Sequence, residues 1–322
     1  MTTDDFRPHP LFPTGHLQTL AGLLLPHGRA LETSRQHAVL LDDGDQVVLH
    51  DDCPPSWQSG ERSALLIHGL AGCHSSPYMQ RIARKLNDCG VRTFRMDLRG
   101  CGAGVGLARM PYHSGRSEDA LAALARIAEL CPDSPTAIVG FSLGGNITLK
   151  LLGESASSLP SHVDRAVAVC PPVDLLHCVK SLARGVNRLY DRHFVGLLRQ
   201  QLGAQQRLIP GAPQLDARHR PRGVFDFDEM FTAPVCGFGT ALNYYRLCSS
   251  AQFVPEIRIP TLILAAADDP LVPRQMFADL RKSDEVTLNL APAGGHLGFI
   301  GRRNGDPDRR WMDWRVVEWA TK

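Results

Sequence analysis

The chain has almost no charge imbalance. Its 35 Lys and Arg face 33 Asp and Glu, a formal net charge of +2, so no global attraction to nucleic acid is expected. Long hydrophobic runs are missing as well. The longest early apolar piece, Leu20 to Leu25, is far too short to span a bilayer. The opening MTTDDFRPHP holds acids and prolines where a secretory leader needs a basic start and an apolar stretch. None of the nine cysteines stands in C-x-x-C or in a zinc-type Cys/His spacing, which argues against a metal module. An odd number of irregularly spaced thiols suits a reducing compartment, and the expected location is cytoplasmic. Repeats and low-complexity tracts are also lacking, which excludes solenoids and disordered linkers.

What is there describes a globular protein. The 322 residues, 43% hydrophobic and 21% charged, suffice for a full core. Short apolar runs at Ala38–Leu41 and Gln46–His50 flank Asp42-Asp43-Gly44-Asp45, which reads as a hairpin. Strands and helices then alternate. Strands are expected at Ala64–Ile67, Val91–Met96, Thr136–Phe141 and Val163–Val169. Helices are expected at Pro77–Cys89, Ser117–Leu130, with Ser117 as its cap, and Leu143–Leu152. From about 175 to 255 the rhythm breaks into helical pieces without a convincing strand. It resumes with strands at Thr261–Ala266 and Val286–Leu290 and helices at Pro273–Leu280 and Arg309–Ala320. This order predicts an α/β fold: a mostly parallel sheet with helices on both faces, forming one domain over 1–322 with an inserted helical cap at about 175–255. The cap is expected over the carboxyl ends of the strands, where such sheets bind ligands.

Three segments behind separate strands carry the chemistry. Gly140-Phe141-Ser142-Leu143-Gly144 lies between an apolar strand and a helix, the context in which G-x-S-x-G presents a serine hydroxyl on a strained turn. Asp268-Asp269-Pro270 follows the strand at 261, and Gly294-Gly295-His296 follows the strand at 286. The order Ser142, Asp269, His296 is that of a hydrolase triad of nucleophile, orienting acid and base, with Asp268 as the alternative acid. His68-Gly69-Leu70-Ala71-Gly72 ends another strand. The backbone N–H groups of Leu70 and Leu143 are the natural pair of oxyanion donors. His68 itself is read as structural, as is an ion pair of Asp97 or Arg99 that holds the loop after Met96. Tyr112-His113-Ser114-Gly115 reads as a loop that could border the site.

With these motifs in place the sequence resembles the YheT-like family, a branch of the α/β-hydrolases whose members are expected to be esterases. The likeness spans nearly the whole chain. It rests on Gly15-His16-Leu17-Gln18-Thr19, HGLAG at 68–72, Ser76-Pro77-Tyr78, Met96-Asp97-Leu98-Arg99-Gly100-Cys101-Gly102 and Tyr112-His113-Ser114-Gly115. It continues through GFSLGGN at 140–146, Phe227-Asp228-Glu229, Thr232-Ala233-Pro234, Gly237-Phe238, Tyr244-Tyr245, Asp268-Asp269-Pro270 and Gly294 to Phe299. Thr14-Gly15 stand where family members often carry Asn-Pro. The resemblance implies the same roles for Ser142, Asp269 and His296, a short- or medium-chain acyl ester as substrate, and no metal or organic cofactor.

The helical insertion holds two further features. Phe225, Phe227, Phe231, Phe238, Tyr244 and Tyr245 cluster there, as an acyl-pocket lining or an aromatic core. Residues 176–223 carry nine Lys and Arg against two Asp and Glu, and Lys180, Arg184, Arg188 and Arg192 recur every four residues. On one helix they would form a basic stripe able to meet an anionic membrane. The expected activity is that of a serine carboxylic-ester hydrolase on a small-molecule or lipid ester. A lipase, a thioesterase or an acyltransferase would use the same residues, and a non-catalytic binding module on the same fold is the other class. Haloalkane dehalogenation would need Asp in place of Ser142.

Overall fold

The runs Ala64–Ile67, Thr136–Phe141 and Thr261–Ala266, apolar on both faces, can only be satisfied inside a sheet covered twice. A computed structural model, which describes residues 6–26, 31, 34–216, 218 and 220–322, assembles them so. The opening residues 1–5, read above as unlike a leader, lie outside the described residues.

Eight strands form one sheet: β1 (Arg35–Leu40), β2 (Gln46–Asp52), β3 (Ser63–Ile67), β4 (Arg92–Asp97), β5 (Thr136–Phe141), β6 (Val163–Val169), β7 (Thr261–Ala266) and β8 (Val286–Ala291). Their order is β1-β2-β4-β3-β5-β6-β7-β8. The β1–β2 and β2–β4 pairs are antiparallel, and all others are parallel. The expected hairpin is present, with Leu40 opposite Gln46 and Gly44 at a φ of +85°. In the central β3 and β5 every residue is buried, as a sheet covered on both faces requires.

The helices are α1 (Gly15–Leu24), α2 (Pro77–Asp88), α3 (Ser117–Leu130), α4 (Leu143–Glu154), α5 (Leu175–Leu182) and α6 (Arg188–Leu208). They continue with α7 (Val224–Phe227), α8 (Ala233–Val235), α9 (Ala241–Cys248), α10 (Gln275–Ala278) and α11 (Trp311–Ala320). A π-helical turn over Asp228–Thr232 joins α7 to α8. Between β6 and β7 the described residues form helices and turns and no strand.

Four details depart from the sequence reading. Ser117 is the first residue of α3, not its cap, because its hydroxyl is turned to Glu154 at 2.7 Å. The helix expected at Pro273–Leu280 shrinks to Gln275–Ala278, closed by Asp279 and the polar run Arg281-Lys282-Ser283-Asp284. Lys180, Arg184, Arg188 and Arg192 do not share one helix. The chain breaks after Leu182 into a tight turn at Gly185–Asn187, where Gly185 takes a φ of +52° outside the helical range. Finally, α1 has no counterpart among the expected helices. Thr14 caps it by accepting from the Leu17 N–H, and Gly15 fits where any Cβ would sit 1.8 Å from the Asp268 carbonyl oxygen.

Candidate active site

The carboxyl ends of β3, β5, β7 and β8 open on one edge of the sheet. That edge receives His68, Ser142, Asp268-Asp269 and His296 from four separate loops. Ser142 sits between β5 and α4 with φ +51° and ψ −117°, a conformation L-residues adopt only under constraint. The constraint is the packing of its neighbours. A Cβ on Gly140 would lie 2.3 Å from the Gly144 carbonyl oxygen, and one on Gly144 would lie 2.3 Å from that of Ile67.

His296 Nε2 lies 2.9 Å from Ser142 Oγ, and its Nδ1 lies 2.8 Å from Asp269 Oδ2. An ionised carboxylate can only accept, so Nδ1 carries the proton and Nε2 faces the serine hydroxyl as an acceptor. The other oxygen of Asp269 accepts the N–H groups of Leu271 at 2.8 Å and Val272 at 3.0 Å, which fixes the carboxylate plane. The backbone N–H of His296 donates to Thr19 Oγ1 of α1 at 2.9 Å.

Asp268 takes another task. Its Oδ1 accepts the Gly295 N–H at 2.9 Å, so it braces the histidine loop from behind. Burial, and then the neighbouring Asp269 charge, push its pKa up. Cys170 is a member of the group that the sequence reading missed. It follows β6 with a φ of +47°, and its thiol lies with the Asp269 carboxylate and the His296 ring in one cluster. Burial and the Asp269 charge push the thiol pKa well up, so it stays neutral.

The loop after β3 passes close to the serine: a Cβ on Gly69 would stand 3.1 Å from that of Ser142. Two phenols grip it. Tyr78 accepts the Gly69 N–H at 2.9 Å, and Tyr112 accepts the Ala71 N–H at 2.9 Å. The N–H of Leu70, between them, has no acceptor among the described residues. Nor has that of Leu143, the first residue of α4, where orphan donors are the rule. His68 is fully buried. Its Nδ1 donates to the Gly69 carbonyl at 2.8 Å and its Nε2 accepts the Leu98 N–H at 3.2 Å, so it ties two loops together. Burial lowers its pKa, which keeps it neutral.

A second polar cluster stands behind this loop. The Asp97 carboxylate bonds His50 at 2.9 Å and His74 at 2.7 Å, and the two rings stack with centroids 3.5 Å apart. It also accepts the backbone N–H groups of His74 and Ala103. Burial opposes its charge, but these bonds hold its pKa well below the usual carboxylate range. Arg99 spans Asp119, Asp43 and Asp45 with its guanidinium buried. Among the described residues, two groupings bring three metal-type donor atoms within 4.8 Å: His50, His74 and Asp97, and Cys170, Asp269 and His296. In both, the donor atoms are engaged in the bonds just given or packed against them.

Ser142, His296, Leu70 and Leu143 open on one cavity of about 1030 Å³, counting its open mouth. Its walls are mainly apolar, with Leu182 of α5, Phe194 of α6 and the aromatic Phe227, Phe231, Tyr244 and Tyr245 among them. Of the aromatic residues noted in the sequence, Phe225 and Phe238 lie outside this lining. Among the described residues, the Asp228 carboxyl reaches the wall. Asp228 accepts the Tyr245 hydroxyl at 2.7 Å, and burial pushes its pKa up to about 6.

A family model described as the alpha/beta hydrolase fold matches residues 65–302, well over half of the chain. The chain belongs to the α/β-hydrolase family. Within that family it falls in the branch of the protein named "Putative esterase YheT" from Escherichia coli (strain K12). The two are 32% identical over 327 residues, covering 98% of this chain and 93% of YheT. It is 26% identical to "Medium-chain fatty acid ethyl ester synthase/esterase 2" of Saccharomyces cerevisiae (strain ATCC 204508 / S288c), over 80% of this chain and 61% of that protein. Among solved structures, Est1E from Butyrivibrio proteoclasticus matches with a TM-score of 0.56 at 15% identity, over 89% of this chain and 97% of Est1E. At that identity the likeness is one of fold, and it places this α/β-hydrolase in the same architecture.

Proposed function

We propose that this α/β-hydrolase is a serine carboxylic-ester hydrolase acting on short- to medium-chain acyl esters. The observation that carries the reading is the hydrogen-bonded run Ser142–His296–Asp269, opening on an apolar cavity. Ser142 Oγ attacks the ester carbonyl carbon while its proton passes to His296 Nε2. Asp269 holds the ring in the tautomer that can accept and stabilises the imidazolium that results. The carbonyl oxygen becomes an oxyanion between the N–H groups of Leu70 and Leu143, each worth about 3 kcal/mol in such a role. Collapse breaks the bond to the alcohol, which leaves with the proton from Nε2. Water then attacks the acyl-enzyme, gives its proton to Nε2, and Ser142 departs with it.

The apolar walls suit an acyl chain better than a charged group. The yeast relative named for medium-chain ethyl esters supports the same substrate class. A fluorophosphonate probe tests the assignment. Wild type should be labelled covalently and should turn over p-nitrophenyl esters, whereas Ser142→Ala should do neither. Labelling that survives in Ser142→Ala would assign the reaction to another residue.

A further inference from the structure

A helix that faces water normally shows polar residues on its open side. α1 does the reverse. Its ten residues include no Lys, Arg, Asp or Glu, and Leu17, Leu20, Leu23 and Leu24 are all exposed, Leu24 by 75%. At about 100° per residue these leucines share an arc of about 120°. Gly15, Gln18 and Ala21 on the other side are buried.

The apolar surface continues past the helix. Leu11 is 72% exposed, and Val186 and Leu189 are exposed at the junction of α5 and α6. His16, which lies within the leucine arc, stacks on Tyr190 with ring centroids 5.8 Å apart and bonds its hydroxyl at 3.1 Å. α1 and the start of α6 are therefore one surface.

Cations border it. Lys180, Arg184, Arg188 and Arg192 are all exposed. Arg188 donates to the Ala183 carbonyl. The side chains of Lys180, Arg184 and Arg192 have no hydrogen-bond or ion-pair partner among the described residues. The nearby acids are turned to internal work: Asp191 accepts the Val224 N–H at 2.7 Å and Asp226 accepts the Arg222 N–H at 3.0 Å. Breaking the helix at Gly185 costs the single-helix stripe but leaves the cations on one junction.

We infer that α1 and the α5–α6 junction seat the protein on an anionic phospholipid surface. The leucines enter the boundary between head groups and acyl chains, and the cations meet lipid phosphates. Charge favours this occupant over a second copy, whose own cations would be brought against these. The surface also adjoins the site. Thr19 of α1 bonds the His296 backbone, and Val179 and Leu182 of α5 line the cavity beside Ser142. A membrane-borne ester as substrate rests on the hydrolase reading; the docking itself does not.

Co-sedimentation with vesicles tests it. Wild type and Ser142→Ala should both be retained by phosphatidylglycerol/phosphatidylcholine vesicles and far less by pure phosphatidylcholine. The triple change Lys180→Gln, Arg184→Gln, Arg192→Gln should weaken retention on the order of a hundredfold, roughly fivefold per cation. Leu20→Ser with Leu24→Ser should weaken it on the order of tenfold, with an unchanged melting temperature. Equal retention on both vesicles, or none on either, would overturn the inference, as would retention that survives both sets of changes. A dimer that Leu20→Ser with Leu24→Ser splits into monomers, without vesicle binding, would give the face to a second copy instead.

Discussion

The hydroxyl of Thr19 accepts the backbone N–H of His296 at 2.9 Å, across 277 positions of sequence. The imidazole hangs from that backbone, so the first helix sets where the ring stands between Ser142 and Asp269. Replacing Thr19 by Val keeps the shape and removes the acceptor. Displacements well under 1 Å matter at such distances, so kcat should fall about tenfold with KM little changed. Thr19→Ser should restore it. A Val variant with wild-type kcat would remove Thr19 from the positioning of the ring.

The two neighbouring aspartates should separate cleanly. Asp269→Asn loses the charge and the tautomer control, and a loss of about 10⁴ in kcat is expected from the role. Asp268→Asn can still accept the Gly295 N–H and should lose far less. Steady-state kinetics on a p-nitrophenyl ester reads both. The reverse ranking would make Asp268 the acid.

Tyr112 holds the Ala71 N–H, next to the N–H of Leu70, which has no acceptor among the described residues. Tyr112→Phe leaves the donor itself but loosens its aim. The expected loss is roughly tenfold in kcat, well short of the 10²–10³ that follows loss of a donor. An unchanged kcat would show that the loop is held without the phenol.

Asp228 supplies a signature in pH. Its carboxyl titrates at about 6 in the fold against an ordinary value of 3.8. A raised folded value means that stability is full below the ordinary value and is lost as pH rises through about 6. The total is on the order of 3 kcal/mol. Asp228→Asn keeps an acceptor for Tyr245 and removes the titration. Across this range the melting temperature of wild type should therefore fall relative to that of the variant as pH rises. Identical slopes would count against a buried neutral carboxyl.

How far the sequence could be read depended on where each signal was written. The turn at Ser142 was legible because strand, glycines and helix are contiguous there. The central strands β3, β5 and β7 were legible because their runs are apolar on both faces. α1 was not, because a helix without one charged residue shows no contrast between faces, and its leucines passed for a short apolar run. The basic residues at spacings of four suggested one helix, and a single glycine at a φ of +52° divides it. Thr19 had a trace in the Gly15-His16-Leu17-Gln18-Thr19 motif but not its meaning, and Cys170 gave no local sign, since each works through contacts with loops far along the chain. The grip of Tyr78 and Tyr112 on the Leu70 loop had a trace in the Ser76-Pro77-Tyr78 and Tyr112-His113 motifs, but not its meaning.

The seam between α1 and the His296 loop has a consequence for how the protein is made. Gln18 donates to the Ile300 carbonyl and accepts its N–H, and Gly22 packs against Gly298. A ribosome delivers Gln18 282 positions before Ile300. Until the His296 loop has emerged, the inner side of the early helix, Gly15, Gln18 and Ala21, has nothing to lie on. The imidazole reaches its serine only once that loop has left the ribosome.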